Sequence, residues 1–219
     1  MKMKFMRNIR QKIKNEIGTT LIEVIMTAAI LPMALGVAYF VMNQSYSTWK
    51  LSDHKAEALA SSRYLIDRLS KDLRQAERPL VSIDTVNNNS ISFKANINSQ
   101  PGSEIIQYSL QSYNAYGGKI VRSVYNPRFV DNNPLKPYYL NQPDSQETLA
   151  KIIRNNLVSP KIPLFTYTKA DGLPFEAGDD ITLIRMINVD LLITSEEEDG
   201  SVDYKEAVRV NDSVRLRNF

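Results

Sequence analysis

The sequence predicts an α+β protein: one long N-terminal α-helix, with a membrane half and an amphipathic half, packed on an antiparallel β-sheet domain. Three observations predict it. Residues 19–42 form an apolar run with a single charged side chain, and residues 49–77 carry helical periodicity without Gly or Pro. After Pro79 the chain changes to short alternating runs separated by turn residues.

The chain opens on a basic stretch. Residues 1–18 hold Lys2, Lys4, Arg7, Arg10, Lys12 and Lys14 against Glu16 alone. From Thr19 to Met42 follow 24 residues in which Glu23 is the only side chain charged at neutral pH. As a helix this run is about 36 Å long, enough to cross a hydrocarbon core of about 30 Å. The positive flank precedes the run, so residues 1–18 are expected to stay cytoplasmic and those after Met42 to lie across the membrane. A secretory signal peptide has the same basic-then-apolar order, with a shorter apolar region and a small-residue cleavage site. Here the run is too long, and Asn43-Gln44-Ser45-Tyr46-Ser47 matches such a site poorly. The span alone leaves open an uncleaved signal anchor carrying an extracytoplasmic binding or enzymatic domain that does not assemble into filaments.

Glu23 is the residue that neither kind of signal explains. A carboxylate inside a membrane helix costs about 2.5–3.5 kcal/mol on insertion scales, and it marks a partner or a pathway. No Lys or Arg lies between Thr19 and Met42. A cut after Gly18 would create an ammonium on Thr19, four positions before Glu23 and close to one helical turn away. The same ammonium on a neighbouring copy would serve equally.

The stretch Gly18-Thr19-Thr20-Leu21-Ile22-Glu23-Val24 resembles the class III signal of type IV pilins and type II secretion pseudopilins, whose usual form is Gly-Phe-Thr-Leu-Ile-Glu. The resemblance implies that residues 1–18 are a leader removed by a prepilin peptidase cutting between Gly18 and Thr19. It further implies N-methylation of Thr19 and subunit assembly through Glu23. Thr19 stands where the family commonly has Phe, a departure that bears on the methylation step.

The helix is expected to continue through residues 43–78. Leu59, Ile66, Leu69, Leu73 and Ala76 recur at spacings of seven, three, four and three, and form one apolar face. The opposite face is assigned Arg63 with Asp67, Asp67 with Lys71, and Arg68 with Asp72, each pair four apart. Pro79 is the stop signal after Glu77, and Pro32 is expected to kink or loosen the membrane half.

Residues 79–219 are predicted to form a β-rich extracytoplasmic domain. Strand-like runs fall at Leu80–Val86, Ser90–Ala95, Glu104–Leu110, Lys119–Tyr125, Ile162–Thr168, Ile181–Ile193 and Tyr204–Val210. Between them lie turn signals such as Pro101-Gly102, Gly117-Gly118 and Asp171-Gly172. The stretch 126–163 contains six prolines and is read as loop, with one short helix around Gln146–Asn155.

A second resemblance covers nearly the whole chain. Arg68-Leu69-Ser70-Lys71-Asp72-Leu73-Arg74-Gln75-Ala76, Pro163-Leu164-Phe165-Thr166-Tyr167 and Val214-Arg215-Leu216-Arg217-Asn218 together look like the J-type minor pseudopilin and the W-type minor pilin, in the family's order. The implied fold is pilin-like. The implied function is a minor subunit that helps initiate or cap a type IV pilus or type II secretion pseudopilus. Implied partners are the prepilin peptidase, other minor pilins or pseudopilins, the major subunit and an inner-membrane assembly platform. The implied location is the inner membrane, single-pass, with later incorporation into the filament.

Composition agrees with one anchor and one domain: 219 residues at 43% hydrophobic content suffice for a core. Without residues 1–18 the 27 basic and 24 acidic side chains become 21 and 23, so a strongly basic nucleic-acid surface is not indicated. Zero cysteines exclude disulfides, zinc thiolates and cysteine nucleophiles. No catalytic or phosphate-loop motif is present, so no catalytic residue, cofactor or metal is assigned and no enzyme is expected. His54, the single histidine, is read as a solvated helix position beside Asp53 and Glu57. Asp179-Asp180 and Glu196-Glu197-Glu198-Asp199 lack the spacing of an EF-hand loop and are read as solvated acidic turns. Tyr108, Tyr113, Tyr116, Tyr138 and Tyr139 offer either a contact surface or strand packing.

Overall fold

The apolar run and the amphipathic stretch form one element. In the computed structural model, which describes residues 21–83, 88–97, 102–115, 117–129, 137–194 and 207–216, helix α1 spans Leu21–Arg74 without a break at Pro32. By packing, the chain divides into Met1–Lys50 and Leu51–Phe219.

Within the second unit, α1 buries Ala58, Ser62, Leu65, Ile66, Leu69, Asp72 and Leu73. These recur every three or four positions, the stripe of an amphipathic helix. Leu59 is half-buried at its margin. Ser62 donates its hydroxyl to Ala58 O at 2.8 Å, so a polar residue is accommodated in the buried stripe. Lys71 and Arg74 lie in the last turn, where cations complement the carbonyl end of the helix dipole.

The helix ends three residues earlier than the expected Glu77. Gln75 N donates to Asp72 O at 3.1 Å, and Ala76, buried as expected, opens strand β1 (Ala76–Ile83) opposite Ala95. The pairing of Ala76 and Glu77 with the next strand outweighs their helical propensity. Pro79 therefore sits inside a strand rather than after a helix. It is tolerated there because β1 is an edge strand with register irregularities on either side of Leu80.

Among the described residues the remaining strands are β2 (Ser90–Ala95), β3 (Glu104–Asn114), β4 (Gly117–Tyr125), β5 (Arg128–Phe129), β6 (Pro137–Tyr138), β7 (Ser145–Ile153), β8 (Phe165–Lys169), β9 (Ile184–Ile193) and β10 (Val208–Arg215). An eight-stranded sheet runs in the order β1-β2-β3-β4-β7-β9-β10, with β8 also paired to β9, and β5-β6 form a separate ribbon. Among the described residues every pairing is antiparallel. The fold is thus α+β, one long N-terminal helix packed on an antiparallel sheet, as the sequence predicted. The predicted run Ser90–Ala95 coincides with β2. The run Ile181–Ile193 begins as a short 3-10 turn, Ile181–Leu183, before β9.

Strand β7 overturns the expected helix at Gln146–Asn155. Its buried residues Leu149, Ala150, Ile152 and Ile153 have the i, i+1, i+3, i+4 spacing of a helix. Two irregularities against β4 produce that spacing: Gly118 pairs with Ile153 but Lys119 with Lys151, and Ile120 pairs with Ala150 but Val121 with Thr148. Each extra residue shifts the alternation by one. Ile152 takes φ 56° in the first bulge, a left-handed conformation unusual for a β-branched residue. A Cβ on Gly117 would lie 3.0 Å from the Ile152 backbone, so glycine there admits the bulge.

The core lies between α1 and the sheet. Leu65, Leu69 and Leu73 join Ile91, Phe93, Ile106, Tyr108, Ile120, Ile187, Val189 and Leu191 in one cluster. Phe93 and Tyr108 stack with ring centroids 6.2 Å apart. Beyond β7, buried Asn155 ties the connection to β9, its Oδ1 accepting from Leu192 N at 2.9 Å and its Nδ2 donating to Asp190 O at 2.5 Å.

Candidate functional site

Two regions carry the sequence-derived site residues and their structural counterpart. The first is the beginning of α1. Gly18 and Thr19 lie outside the described residues. Glu23 is exposed in the first turn of the described helix. The Thr27 hydroxyl bonds the carbonyls of Glu23 and Val24 at 2.8 and 3.0 Å, which satisfies a polar side chain within the apolar run.

Along the first part of α1 the surface is apolar. Leu21 is 78% exposed, Met33 73% and Phe40 65%, and by length and composition α1 is able to cross a membrane. Exposed apolar area of this extent on one element marks a surface that lipid or protein covers.

The second region seats α1 on the sheet, and sequence reasoning missed it. Asp72, expected on the polar face with Arg68, is instead 1% exposed and faces the sheet. Its Oδ2 accepts from Arg122 Nε of β4 at 2.6 Å and from Tyr108 OH of β3 at 2.7 Å. The stripe geometry explains the correction, since Asp72 follows Leu65 and Leu69 by seven and three positions. A buried carboxylate persists when paired and hydrogen-bonded. Burial followed by the adjacent Asp72 charge pushes the Tyr108 phenol far above its ordinary value of 10.0. Burial would lower the Arg122 guanidinium, but the hydrogen bond to Asp72 and its charge prevail and raise it. Nearby, the Tyr64 hydroxyl of α1 donates to Glu147 Oε1 of β7 at 2.7 Å. Three strands therefore hold the helix at chemically specific points. The only signal in the sequence was a carboxylate in phase with the leucine stripe.

The other candidates are spent locally. His54 is half-buried rather than solvated, because it lies four residues before buried Ala58 and so at the edge of the same stripe. Asp179 pairs with Lys169 Nζ at 3.0 Å and accepts from Glu176 N at 2.9 Å. The latter bond first, then the Lys169 contact, lowers its carboxyl below the ordinary value. Asp180 caps the 3-10 turn by accepting from Thr182 N. Residues 196–199 and Tyr116 lie outside the described residues. Tyr108 is core, Tyr139 donates to Ser103 O at 2.7 Å, and Tyr113 lies under Lys151 Nζ at 5.6 Å from its centroid. Tyr138 is exposed.

No protein-family model, curated protein or solved structure matches the chain. Among the described residues no group of three or more His, Cys, Asp and Glu is placed to hold a metal. The geometry is that of a helix presenting bare apolar side chains over Leu21–Met42 while its carboxyl part is bonded into a sheet.

Proposed function

We propose that the chain is a minor pilin or pseudopilin, a structural subunit without enzymatic activity that helps initiate or cap a type IV pilus or type II secretion pseudopilus. The observation that carries this reading is the single helix Leu21–Arg74, with Glu23 in the first turn of an exposed apolar stretch and Asp72 bonded to the sheet near its end. Together with the leader and the Gly18-Thr19 junction, this is the arrangement an assembling subunit needs. The apolar part resides in the membrane before assembly and packs among other subunits afterwards, while the sheet domain stays outside the membrane.

In this reading a prepilin peptidase cuts between Gly18 and Thr19 and the new amino terminus is methylated. Glu23 accepts the Thr19 ammonium of an adjacent subunit, which replaces an unfavourable burial by a charge pair and sets the axial register. Partners are other minor subunits, the major subunit and the inner-membrane assembly platform.

N-terminal sequencing of the membrane-bound protein is the direct test. A start at Thr19 is expected, whereas an intact start at Met1 selects the signal-anchored domain instead. Gly18→Arg is expected to retain the leader and increase the mass of the membrane form.

A further inference from the structure

Where α1 ends, three elements bring basic side chains to one concavity. A cavity of about 720 Å³ is lined by Ser70 and Arg74 of α1, Arg185 of β9, and Ser213 and Arg215 of β10. The β9-β10 ladder ends here: Arg215 pairs with Met186, and Leu216 N donates to Arg185 O at 2.9 Å. Arg185 is further held by its Nη1, which donates to Thr182 O at 2.9 Å and Ile184 O at 3.2 Å.

An adjoining cavity of about 520 Å³ shares Ser70, Arg74 and Ser213, and adds Lys71 with the carboxylates Asp67 and Asp212. Four cationic side chains thus line the pair against two anionic ones. Among the described residues, Lys71, Arg74 and Arg215 form no ion pair. A concavity with an excess of one charge focuses its potential and concentrates counter-ions.

We propose that this groove binds a phosphate-class oxyanion, either free phosphate or the phosphomonoester headgroup of a lipid. Guanidinium forks match the oxygens of phosphate bidentately. The hydroxyls of Ser70 and Ser213 are of the donor type that complements them. The excess of two positive side chains matches a phosphomonoester, whose charge near neutral pH is about −1.5 to −2. This site is independent of the filament reading, since none of its residues lies in the apolar stretch.

The test is calorimetric titration of the full-length protein in a maltoside detergent with sodium phosphate, against sodium chloride at matched ionic strength. Saturable binding with a Kd on the order of 1 mM or tighter is expected for phosphate alone. The double variant Arg74→Gln, Arg215→Gln is expected to weaken it at least about tenfold. Arg63→Gln, which removes one positive charge from an exposed position elsewhere on α1, is expected to leave it unchanged. Arg74→Lys keeps the charge but loses the fork, and is expected to weaken binding several-fold. It carries the comparison if the double variant does not fold by circular dichroism. Micelles doped with phosphatidic acid separate the two sources: displacement of inorganic phosphate by the lipid assigns the headgroup, and its failure assigns the free ion. The proposal is overturned by heats equal to those of chloride, by equal weakening in Arg63→Gln, or by a hexaglutamate peptide that binds and is not displaced by phosphate.

Discussion

Asp72, Arg122 and Tyr108 are each unremarkable in sequence, and together they form a buried, hydrogen-bonded ion pair between α1 and the sheet. Removing one partner of a buried charge pair strands the other, at a cost of about 3–5 kcal/mol, whereas replacing both by apolar groups is far less harmful. Arg122→Met is therefore expected to destabilise the protein by about that amount in urea unfolding followed by circular dichroism. The double variant Asp72→Leu, Arg122→Met should recover most of the loss. Tyr108→Phe deletes one hydrogen bond to a charged acceptor and is expected to cost about 1.5–3 kcal/mol. Tyr108 also sets an alkaline limit. Its phenol stays protonated in the fold while the unfolded side chain ionises near 10.0, so its contribution is complete below that pH and is lost as pH rises above it. The unfolding midpoint of the wild type should fall more steeply above about pH 10 than that of Tyr108→Phe.

At the scale of elements, α1 and β7 respond to different rules. The helix was legible because residues 49–77 lack Gly and Pro and repeat leucines with helical period. Its end was not, since the transition at Gln75 depends on Ala76 pairing with Ala95. Leu69, fully buried between α1 and the sheet, is the position where Leu→Ala should cost most along the helix, about 2–5 kcal/mol. Strand β7 imitates a helix because its two bulges convert alternation into i, i+3, i+4 spacing. Gly117 makes the first bulge possible. Gly117→Ala places a methyl 3.0 Å from the Ile152 backbone, and is expected to destabilise by about 1–3 kcal/mol, read as a lower urea midpoint. Equal stability of the two proteins would mean that β4 and β7 separate there at no cost.

At the scale of the whole molecule, the proposed role joins the leader, the apolar stretch and the sheet domain in one assembly pathway. Glu23→Ala is expected to leave removal of residues 1–18 intact while co-purification with partner subunits falls several-fold. Wild-type recovery of partners would sink the assembly role of Glu23. The candidate site was legible in its linear part, because the junction at Gly18-Thr19 and the single carboxylate at Glu23 are defined by neighbours along the chain. The seat of the helix was not legible, because Asp72 meets Tyr108 and Arg122 across 36 and 50 residues. By itself the sequence determined the α+β class and the apolar run able to cross a membrane, since hydrophobic period and run length are local properties. Only the tertiary structure decided where the helix stops, that 145–153 is a strand, and which carboxylate is buried. Those outcomes depend on pairing and desolvation by residues that chain order leaves far apart.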